Sequence, residues 1–317
     1  MRVILAPMEG VVDGLMREIL STINPYDLIV TEFVRVVDTL LPEKVFLKTC
    51  PELLQGSKTL SGTPVRMQLL GQHPQAMADN ALRAIELGSP GIDLNFGCPA
   101  KIVNRSNGGA ILLKDPKRVH QIVKAVRKAV PDEFPVTAKI RLGYEDKSMY
   151  LDNAIAIHEA GASELAVHAR SKVDGYKPPA YWDYITKIKA KLPIPVIANG
   201  EIWNKSDALR CIEVTGCTDI MVGRGAISLP NLAEVIKTDK LAFTWPQTLD
   251  LMLSYTEREI TGQKLPYFPS RIKQWFSYLN RQYPEAKELF RELRIFKTTE
   301  EIVAILKNAQ IELEKIK

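Results

Sequence analysis

Eight short runs rich in β-branched and other apolar residues recur along residues 3–222, and longer amphipathic stretches separate them. These runs predict strands at residues 3–6, 28–31, 65–69, 92–95, 136–140, 164–168, 196–199 and 219–222. The stretches between them predict helices at residues 75–87, 116–130, 151–160, 182–191 and 206–214. Eight strand–helix units within about 250 residues have the size of a TIM (β/α)8 barrel with a parallel sheet.

A doubly wound open sheet is the alternative fold, but that fold usually carries a Gly-x-Gly-x-x-Gly turn after its first strand. Here the first run is followed by Pro-Met-Glu-Gly. After Thr244 the alternation stops, and Trp245 and Pro246 begin a helix-rich segment that continues to Lys317. We therefore predict an α/β TIM-barrel domain at residues 1–244 and an all-α domain, the helical tail, at residues 245–317.

The composition, with 46% hydrophobic and 25% charged residues, is that of an ordinary globular protein. No apolar run approaches the ~20 residues that span a bilayer, so a cytoplasmic enzyme is expected, with no membrane contact. The cysteines Cys50, Cys98, Cys211 and Cys217 form no C-x-x-C pair, so neither disulfides nor a metal site are indicated. The net charge of +5 permits a nucleic-acid partner, and no protein partner is indicated.

Cys98 lies where a predicted buried strand opens into a loop, in the run Asp-Leu-Asn-Phe-Gly-Cys-Pro at residues 93–99. A thiol in that place can give or take a proton, because active residues concentrate on loops carried by a rigid scaffold. The alternative is a small buried hydrophobic residue, which is the usual state of a free cysteine. The Ser-Asn-Gly-Gly turn at residues 106–109 predicts that the following segment is irregular and mobile.

The carboxyl ends of the predicted strands are unusually polar, and in a TIM barrel these ends face the active site. The residues at or just after them are Pro7, Met8, Glu9, Glu32, Gln68, Asn95, Cys98, Lys139, Arg141, His168, Arg170, Asn199, Gly200, Glu201, Gly223 and Arg224. A single residue of this kind is more often a satisfied hydrogen-bonding group near a loop. The whole set at one end of eight strands predicts a functional site.

Two features of this set favour a phosphorylated, electron-rich ligand. The seventh and eighth strands end in glycines, and Arg224 follows Gly223, as expected of a phosphate site in this fold. Two tight turns with an incidental arginine are the alternative. Lys139 lies on an otherwise apolar strand and needs an anionic partner, such as the pyrimidine end of a reduced flavin, or else a salt bridge with Glu201 or Asp93.

The chain resembles the tRNA-dihydrouridine synthases over nearly its whole length. The motifs that carry the resemblance lie at residues 6–10, 94–99, 139–143, 167–170, 198–202 and 223–225, and Asn-x-Gly-Cys-Pro is the most specific of them. Residues 31–36, 202–203 and 271–279 look like the bacterial C type, which modifies the uridine at position sixteen of the D-loop. Ala169 and Ser171 depart from the glycine and threonine of many members, which affects only the sixth loop.

The resemblance implies a flavin cycle in which NADPH reduces FMN, hydride passes to C6 of a uridine, and Cys98 protonates C5. A cysteine suits this role because its ordinary pKa of about 8.5 leaves it protonated at neutral pH. The residues implied to hold FMN are Pro7, Met8, Glu9, Gln68, Lys139, His168, Asn199, Gly200, Glu201, Gly223 and Arg224. The residues implied to bind tRNA are Arg35, Asn95, Arg141, Arg170, Tyr176, Arg271 and Lys273, with Asn95 at the uracil edge.

The helical tail allows two interpretations. Arg271 and Lys273 are expected to contact the backbone of a folded RNA, which proteins recognise largely through shape. For Trp275, Phe276 and Leu279, whose spacing is helical, we expect the core of a capping bundle instead.

Two other functions remain open at this point. One is an FMN oxidoreductase that acts on a small pyrimidine or enone, although such a substrate would not require a tail. The other is a barrel that has lost catalysis and only binds RNA, although Cys98 and Lys139 are both present.

Overall fold

The computed structural model describes residues 1–262 and 265–315. Eight strands close into a barrel in the order β1 to β8, and every neighbouring pair, including β8 with β1, is parallel. The strands are β1 (Val3–Leu5), β2 (Leu28–Arg35), β3 (Val65–Leu70), β4 (Ile92–Phe96), β5 (Val136–Arg141), β6 (Glu164–His168), β7 (Val196–Asn199) and β8 (Asp219–Val222). The predicted TIM barrel is confirmed, and β2 alone extends well beyond its predicted end, with a register shift between Val30 and Phe33.

Fourteen α-helices are present in the described residues. They are α1 (Gly14–Thr22), α2 (Glu43–Thr49), α3 (Pro74–Glu86), α4 (Lys101–Arg105), α5 (Pro116–Ala129), α6 (Tyr150–Glu159), α7 (Trp182–Lys191), α8 (Lys205–Thr215), α9 (Arg224–Ser228), α10 (Leu232–Lys237), α11 (Trp245–Ile260), α12 (Phe268–Leu279), α13 (Pro284–Leu293) and α14 (Thr299–Lys315). Short 3-10 helices lie at Pro51–Gln55, Gly109–Lys114 and Leu265–Tyr267. The five predicted helices, now α3 and α5 to α8, are confirmed to within one residue at each end. Within the described ranges, no helix is long and apolar enough to cross a membrane.

The interior of the barrel is divided into two unlike halves. Side chains of β1, β2, β6, β7 and β8 form an apolar cluster of Ile4, Ala6, Leu28, Val30, Ala166, Ile197 and Met221, separate from the outer core. On β3, β4 and β5 the corresponding alternate positions are polar, and they are Arg66, Gln68, Asp93, Asn95, Thr137 and Lys139. Successive side chains of a strand point to opposite faces, so the remaining positions of all eight strands pack outward under the helices. The polar half includes β4, whose carboxyl end continues into the loop that carries Cys98.

The segment after Cys98 is more regular than predicted. Helix α4 begins three residues after the cysteine, and the 3-10 helix Gly109–Lys114 follows the predicted turn. The side chain of Asn104 explains this order, because its amide donates to the carbonyls of Cys98 (3.0 Å) and Ala100 (2.7 Å). Only the turn around Asn107, with φ +54°, matches the expectation of irregular backbone.

The helical tail packs on the barrel rather than standing apart from it. Thr244 and Gln247 form a capping box that starts α11, and such a pair satisfies donors at a helix N-terminus. The indole of Trp275 donates to the carbonyl of Ile227 at the end of the barrel segment (3.1 Å). Trp275, Phe276 and Leu279 are buried, which confirms the expected aromatic core. The division of the chain at residue 244 into two domains stays a prediction.

Candidate active site

A cavity of about 520 Å³ opens at the carboxyl ends of the strands. Every residue of the predicted strand-end set lines this cavity except Arg170, and Tyr176, Trp203 and Tyr278 complete its wall. This volume lies within the ~300–1,000 Å³ typical of small-molecule and cofactor sites. The eight strand ends therefore form one concave site, as the topology requires.

Cys98 is half-buried at the edge of the cavity, and the side chain of Asn95 holds its backbone in place. The amides of Gly97 and Cys98 both donate to Oδ1 of Asn95, each at 2.9 Å. Burial is the largest influence on the thiol, and it raises the pKa of Cys98 above its ordinary value. The thiol is therefore protonated at neutral pH, as an acid must be before it can donate.

Asn95 is in turn held by a chain of buried side chains on β3 and β4. Its amide Nδ2 donates to Oε1 of Gln68 (2.7 Å), and Nε2 of Gln68 donates to Oδ2 of Asp93 (2.7 Å). The hydroxyl of Thr137 donates to the other oxygen of Asp93 (2.6 Å). Burial raises the pKa of Asp93, and both of its carboxyl oxygens accept in this arrangement, which favours the orientation of both amides in which Oδ1 of Asn95 faces the Cys98 loop.

Lys139 is half-buried inside the barrel and lines the cavity. Burial, with the nearby charge of Arg141, lowers the pKa of its ammonium to about 8. Its Nζ donates to Oδ1 of Asn199 (3.2 Å), and the amide of Asn199 donates to the carbonyl of Met221 (2.7 Å). The alternative of a salt bridge between Lys139 and Glu201 is wrong, because the carboxylate of Glu201 pairs with two arginines.

Glu201 is the centre of the wall formed by the β7 and β8 loops. Its carboxylate accepts from Arg170 (2.9 Å), Arg224 (3.1 Å) and the indole of Trp203 (3.1 Å). Burial alone would raise the pKa of this carboxyl, but the hydrogen bonds from Trp203 and Arg170 and the two positive charges outweigh it and lower the pKa. Glu201 is therefore ionised and holds both guanidinium groups in place.

Arginines and aromatic rings alternate along the same wall. The guanidinium of Arg141 lies 5.1 Å from the ring centre of Tyr176, and that of Arg224 lies 4.6 Å from the same centre. Arg224 also lies 5.0 Å from the indole of Trp203, and Arg281 of the helical tail lies 3.8 Å from it. Such contacts stabilise the positive charges without neutralising them.

His168 and Gly200 approach each other closely at the ends of β6 and β7. A Cβ atom at Gly200, whose φ is +121°, would lie 3.0 Å from Cδ2 of His168, so only glycine fits without movement. Burial, together with Arg141 and Lys139, holds the pKa of His168 well below its usual value. The imidazole is therefore neutral and can donate or accept a single hydrogen bond on each side.

Glu9 lies exposed at the rim of the cavity, close to Glu32. Partial desolvation, followed by repulsion from Glu32, raises the pKa of Glu9 to about 7. The rim is thus less negative at neutral pH than two carboxylates would make it.

Two residues predicted to contact tRNA form ion pairs within the protein. Arg170 is fully buried, and besides Glu201 its Nε donates to the carbonyls of Lys177 (2.7 Å) and Pro179 (3.2 Å). Arg271 pairs with Asp13 of the barrel (2.8 Å) and with Glu259 of α11 (2.6 Å). Arg170 is shielded from solvent and Arg271 is only partly exposed, so both side chains pair first inside the protein, and a direct contact of either with RNA stays a prediction.

The remaining tRNA candidates keep their place as predictions. Arg35 donates to the hydroxyl of Ser106 (2.6 Å) at the edge of a second, smaller cavity of about 190 Å³. Lys273 donates to the carbonyl of Phe296 and is half-buried. Arg141 donates to the carbonyls of Gly97, Ser171 and Gly175, so it braces the loops, and Tyr176 is half exposed at the mouth.

Sequence reasoning did not assign Phe33, Trp203 and Tyr278 to the site, although all three line the cavity. Phe33 lies in the part of β2 that extends past the predicted end. Tyr278 reaches the cavity from α12, and the helical periodicity of its neighbours gives no indication of which face meets the barrel. The available signal was the same for all three residues, because the subtype motifs at residues 31–36, 202–203 and 271–279 contain them.

A closed parallel barrel with a polar cavity at the carboxyl ends of its strands defines a TIM-barrel enzyme. Solved structures share this fold. They include 2-naphthoyl-CoA reductase, with a TM-score of 0.57 and 13% identity, covering 74% of this chain and 49% of that one. Histamine dehydrogenase from Rhizobium sp. 4-9 has a TM-score of 0.55 and 15% identity, covering 74% of this chain and 45% of that one.

The chain belongs to the dihydrouridine synthase (Dus) family, whose pattern it matches over residues 4–315. A tRNA-dihydrouridine(16) synthase of Shewanella oneidensis is 73% identical over 315 residues, covering 99% of this chain and 100% of the relative. The enzyme of the same name from Escherichia coli K12 is 51% identical over 313 residues, covering 98% and 99%. The resemblance to this family, predicted from six motifs, is confirmed.

Proposed function

We propose that this protein is a flavin-dependent tRNA-dihydrouridine synthase that reduces the uridine at position 16 of the D-loop. The observation that carries the proposal is that a thiol, Cys98, and a half-buried ammonium, Lys139, line one cavity in a chain of this family. The position on the tRNA rests on the relatives, which are 51–73% identical and named for position 16.

FMN, with NADPH as reductant, is the cofactor that the cavity suits. The β7 and β8 loops offer Gly200, Gly223 and Arg224 to a phosphate, and a Cβ at Gly200 would crowd His168. Lys139 and Gln68 reach the cavity from the opposite, polar half of the barrel, where an electron-rich ring needs a positive charge and a hydrogen-bond partner. FMN when bound supplies the hydride for C6 of the uracil.

The chain's own residues bind, orient and protonate the substrate. Cys98 gives the proton from its Sγ to C5 of the uracil, and water restores the thiol afterwards. Asn95 keeps one amide hydrogen free of Gln68, and Tyr176 offers an exposed ring for stacking. A uridine in folded tRNA must be turned out to enter such a cavity.

Arg35 and Lys273 supply further contacts to the RNA in this proposal, and the helical tail is the domain that recognises it. Arg35 is a half-buried cation of the barrel, and Lys273 is a half-buried cation of the tail. Since tRNA is the substrate, we also propose that the enzyme works in the cytoplasm.

A spectroscopic experiment tests the whole proposal. The purified protein is expected to be yellow, to bleach with NADPH, and to regain colour on addition of unmodified tRNA but not of free uridine. A colourless protein that cannot take up FMN contradicts the flavin, and recovery with free uridine favours a small substrate. Mapping dihydrouridine in tRNA from cells that lack the gene tests the position, and loss elsewhere than position 16 contradicts it.

Replacing the thiol tests the role of Cys98. Cys98→Ala is expected to keep FMN and its reduction by NADPH, because neither needs the thiol. It should slow the oxidation of reduced flavin by tRNA by about 10²–10⁴-fold, the usual contribution of a general acid. Cys217→Ala is the control, since Cys217 is buried away from the cavity. Unchanged turnover of tRNA by Cys98→Ala would refute the assignment.

A further inference from the structure

Arg281 follows α12 at the junction of the helical tail with the barrel. Its side chain is exposed, and its guanidinium lies 3.8 Å from the centre of the Trp203 indole. Its backbone amide donates to the carbonyl of Tyr278 (3.1 Å), which fixes the turn from which the side chain projects. The tail therefore presents a stacked arginine beside a loop of the barrel.

The other arginines along this wall already have partners. Arg170 and Arg224 share the carboxylate of Glu201, and Arg141 donates to three backbone carbonyls. Arg281 forms no ion pair with a carboxylate in residues 1–262 and 265–315. One carboxylate thus faces several guanidinium groups, and the wall keeps an excess of positive charge that an anion would neutralise.

Arg281 also lies outside the cavity. Trp203, Arg224 and Tyr278 line the cavity, whereas Arg281 does not. A cofactor held within the cavity therefore meets Arg224, whereas Arg281 contacts the indole of Trp203 without lining the cavity. An anion bound by Arg281 must come from a ligand that extends beyond the mouth.

We propose that Arg281 binds a phosphodiester of the substrate RNA next to the nucleotide that enters the cavity. This inference rests on the proposed function and assigns a specific RNA contact to it. A guanidinium stacked by its face on an indole leaves its N–H edge free, and that edge matches phosphate oxygens in a bidentate way. Because the stacking already orders the side chain, binding costs less conformational entropy than for a mobile arginine.

Binding of unmodified tRNA to the FMN-loaded protein, measured over a range of salt concentrations, tests this contact. Arg281→Ala is expected to weaken binding about 5- to 20-fold near physiological salt and to lower the slope of log K against log salt by about one. Flavin content and the rate of flavin reduction by NADPH should not change, and KM for tRNA should rise while kcat stays within about twofold. Arg281→Lys should restore part of the affinity, since lysine keeps the positive charge but lacks the paired N–H groups that bind a phosphate in a bidentate way.

Arg291→Ala is the matched control, because Arg291 is an exposed tail arginine that pairs with Glu288 (2.8 Å) away from the cavity. Affinity and salt slope of Arg281→Ala equal to those of this control would overturn the inference while leaving the proposed function intact. Loss of FMN with an unchanged salt slope would also overturn it, by assigning Arg281 to the cofactor. A wild-type protein without affinity for tRNA would overturn the proposed function itself, and this contact with it.

Discussion

Beneath the cavity, the two halves of the barrel interior are built from opposite chemistry. On β1, β2, β6, β7 and β8 the inner positions at mid-height of the barrel are apolar, and polar inner residues such as His168 and Asn199 lie at the strand ends. On β3, β4 and β5 they carry ionisable and amide groups, with Gln68 and Asp93 almost wholly buried. Buried polar groups stabilise a fold only when every hydrogen bond is made. The difference teaches that one half supplies stability and the other positions Cys98 and Lys139.

The largest expected effect tests the apolar half. Ile4→Ala should lower the free energy of unfolding by about 2–5 kcal/mol, because Ile4 is fully buried and its loss leaves a cavity. The activity of each folded, flavin-loaded molecule should stay within about twofold. Denaturant unfolding and steady-state kinetics check this, with Ile4→Val as the milder control at about 1 kcal/mol. A large loss of turnover without loss of stability would contradict the division of roles.

The next effect is the loss of folding stability at neutral pH that results from keeping a charged Lys139 inside the barrel. Its pKa is about 8 in the folded protein against 10.5 ordinarily. Between pH 8 and pH 10.5 the unfolded chain keeps a proton on Lys139 that the folded protein has lost, so the free energy of unfolding rises with pH across this range. The gain in stability is complete above pH 10.5 and is lost as the pH falls through 8. Relative to Lys139→Met, the flavin-free wild type should gain up to about 3 kcal/mol from pH 7 to 10.5.

Unfolding of both proteins across this pH range measures the difference, and other groups that titrate there cancel between them. Lys139→Met itself should be at least as stable as the wild type at pH 7, because it removes a desolvated charge. A difference that does not change with pH would show that the ammonium of Lys139 is not perturbed by burial.

The smallest effect is expected at Asp93, which acts on the Cys98 loop through Gln68 and Asn95. Asp93→Leu leaves the amide of Gln68 without its acceptor, so the series of hydrogen bonds from Asp93 through Gln68 and Asn95 to the Cys98 loop should weaken. The amides of Gly97 and Cys98 should exchange with solvent faster, and reduction of tRNA should fall about tenfold, or ~1.4 kcal/mol.

Asp93→Asn is the control, because its oxygen can still accept from Gln68, and it should lose less than about threefold. Amide exchange in the absence of tRNA separates this positioning role from any contact with the substrate. Unchanged exchange at Gly97 and Cys98 in Asp93→Leu would contradict the role of these hydrogen bonds in holding the Cys98 loop.

Most of the barrel could be predicted from the sequence, because strands buried on both faces are continuous apolar runs bounded by glycine and proline. The extension of β2 could not, since Glu32 and Arg35 carry no strand signal of their own. The strand-end residues were predictable as a set, because topology alone brings them together. Their roles in this set stay predictions where no ligand contact is seen.

The partners within the site could not be predicted in the same way. Gln68 lies on β3 whereas Asp93 and Asn95 lie on β4, and only the register of β3 with β4 places Gln68 between the other two. The ion pairs of Arg170 with Glu201 and of Arg271 with Asp13 could not be predicted either, because arginine is usually exposed and these partners are distant in the chain. Such pairings depend on tertiary packing rather than on local pattern.

The ion pair between Asp13 and Arg271 has a consequence for how such chains can be recombined. Asp13 begins α1 in the barrel, while Arg271 and Glu259 belong to the tail, and both carboxylates are buried around one guanidinium. A chimaera that joins this barrel to a tail without an arginine at this place would lose the ion pair that Arg271 forms with the buried carboxylate of Asp13. Tail and barrel are therefore exchangeable among relatives only as electrostatically matched sets.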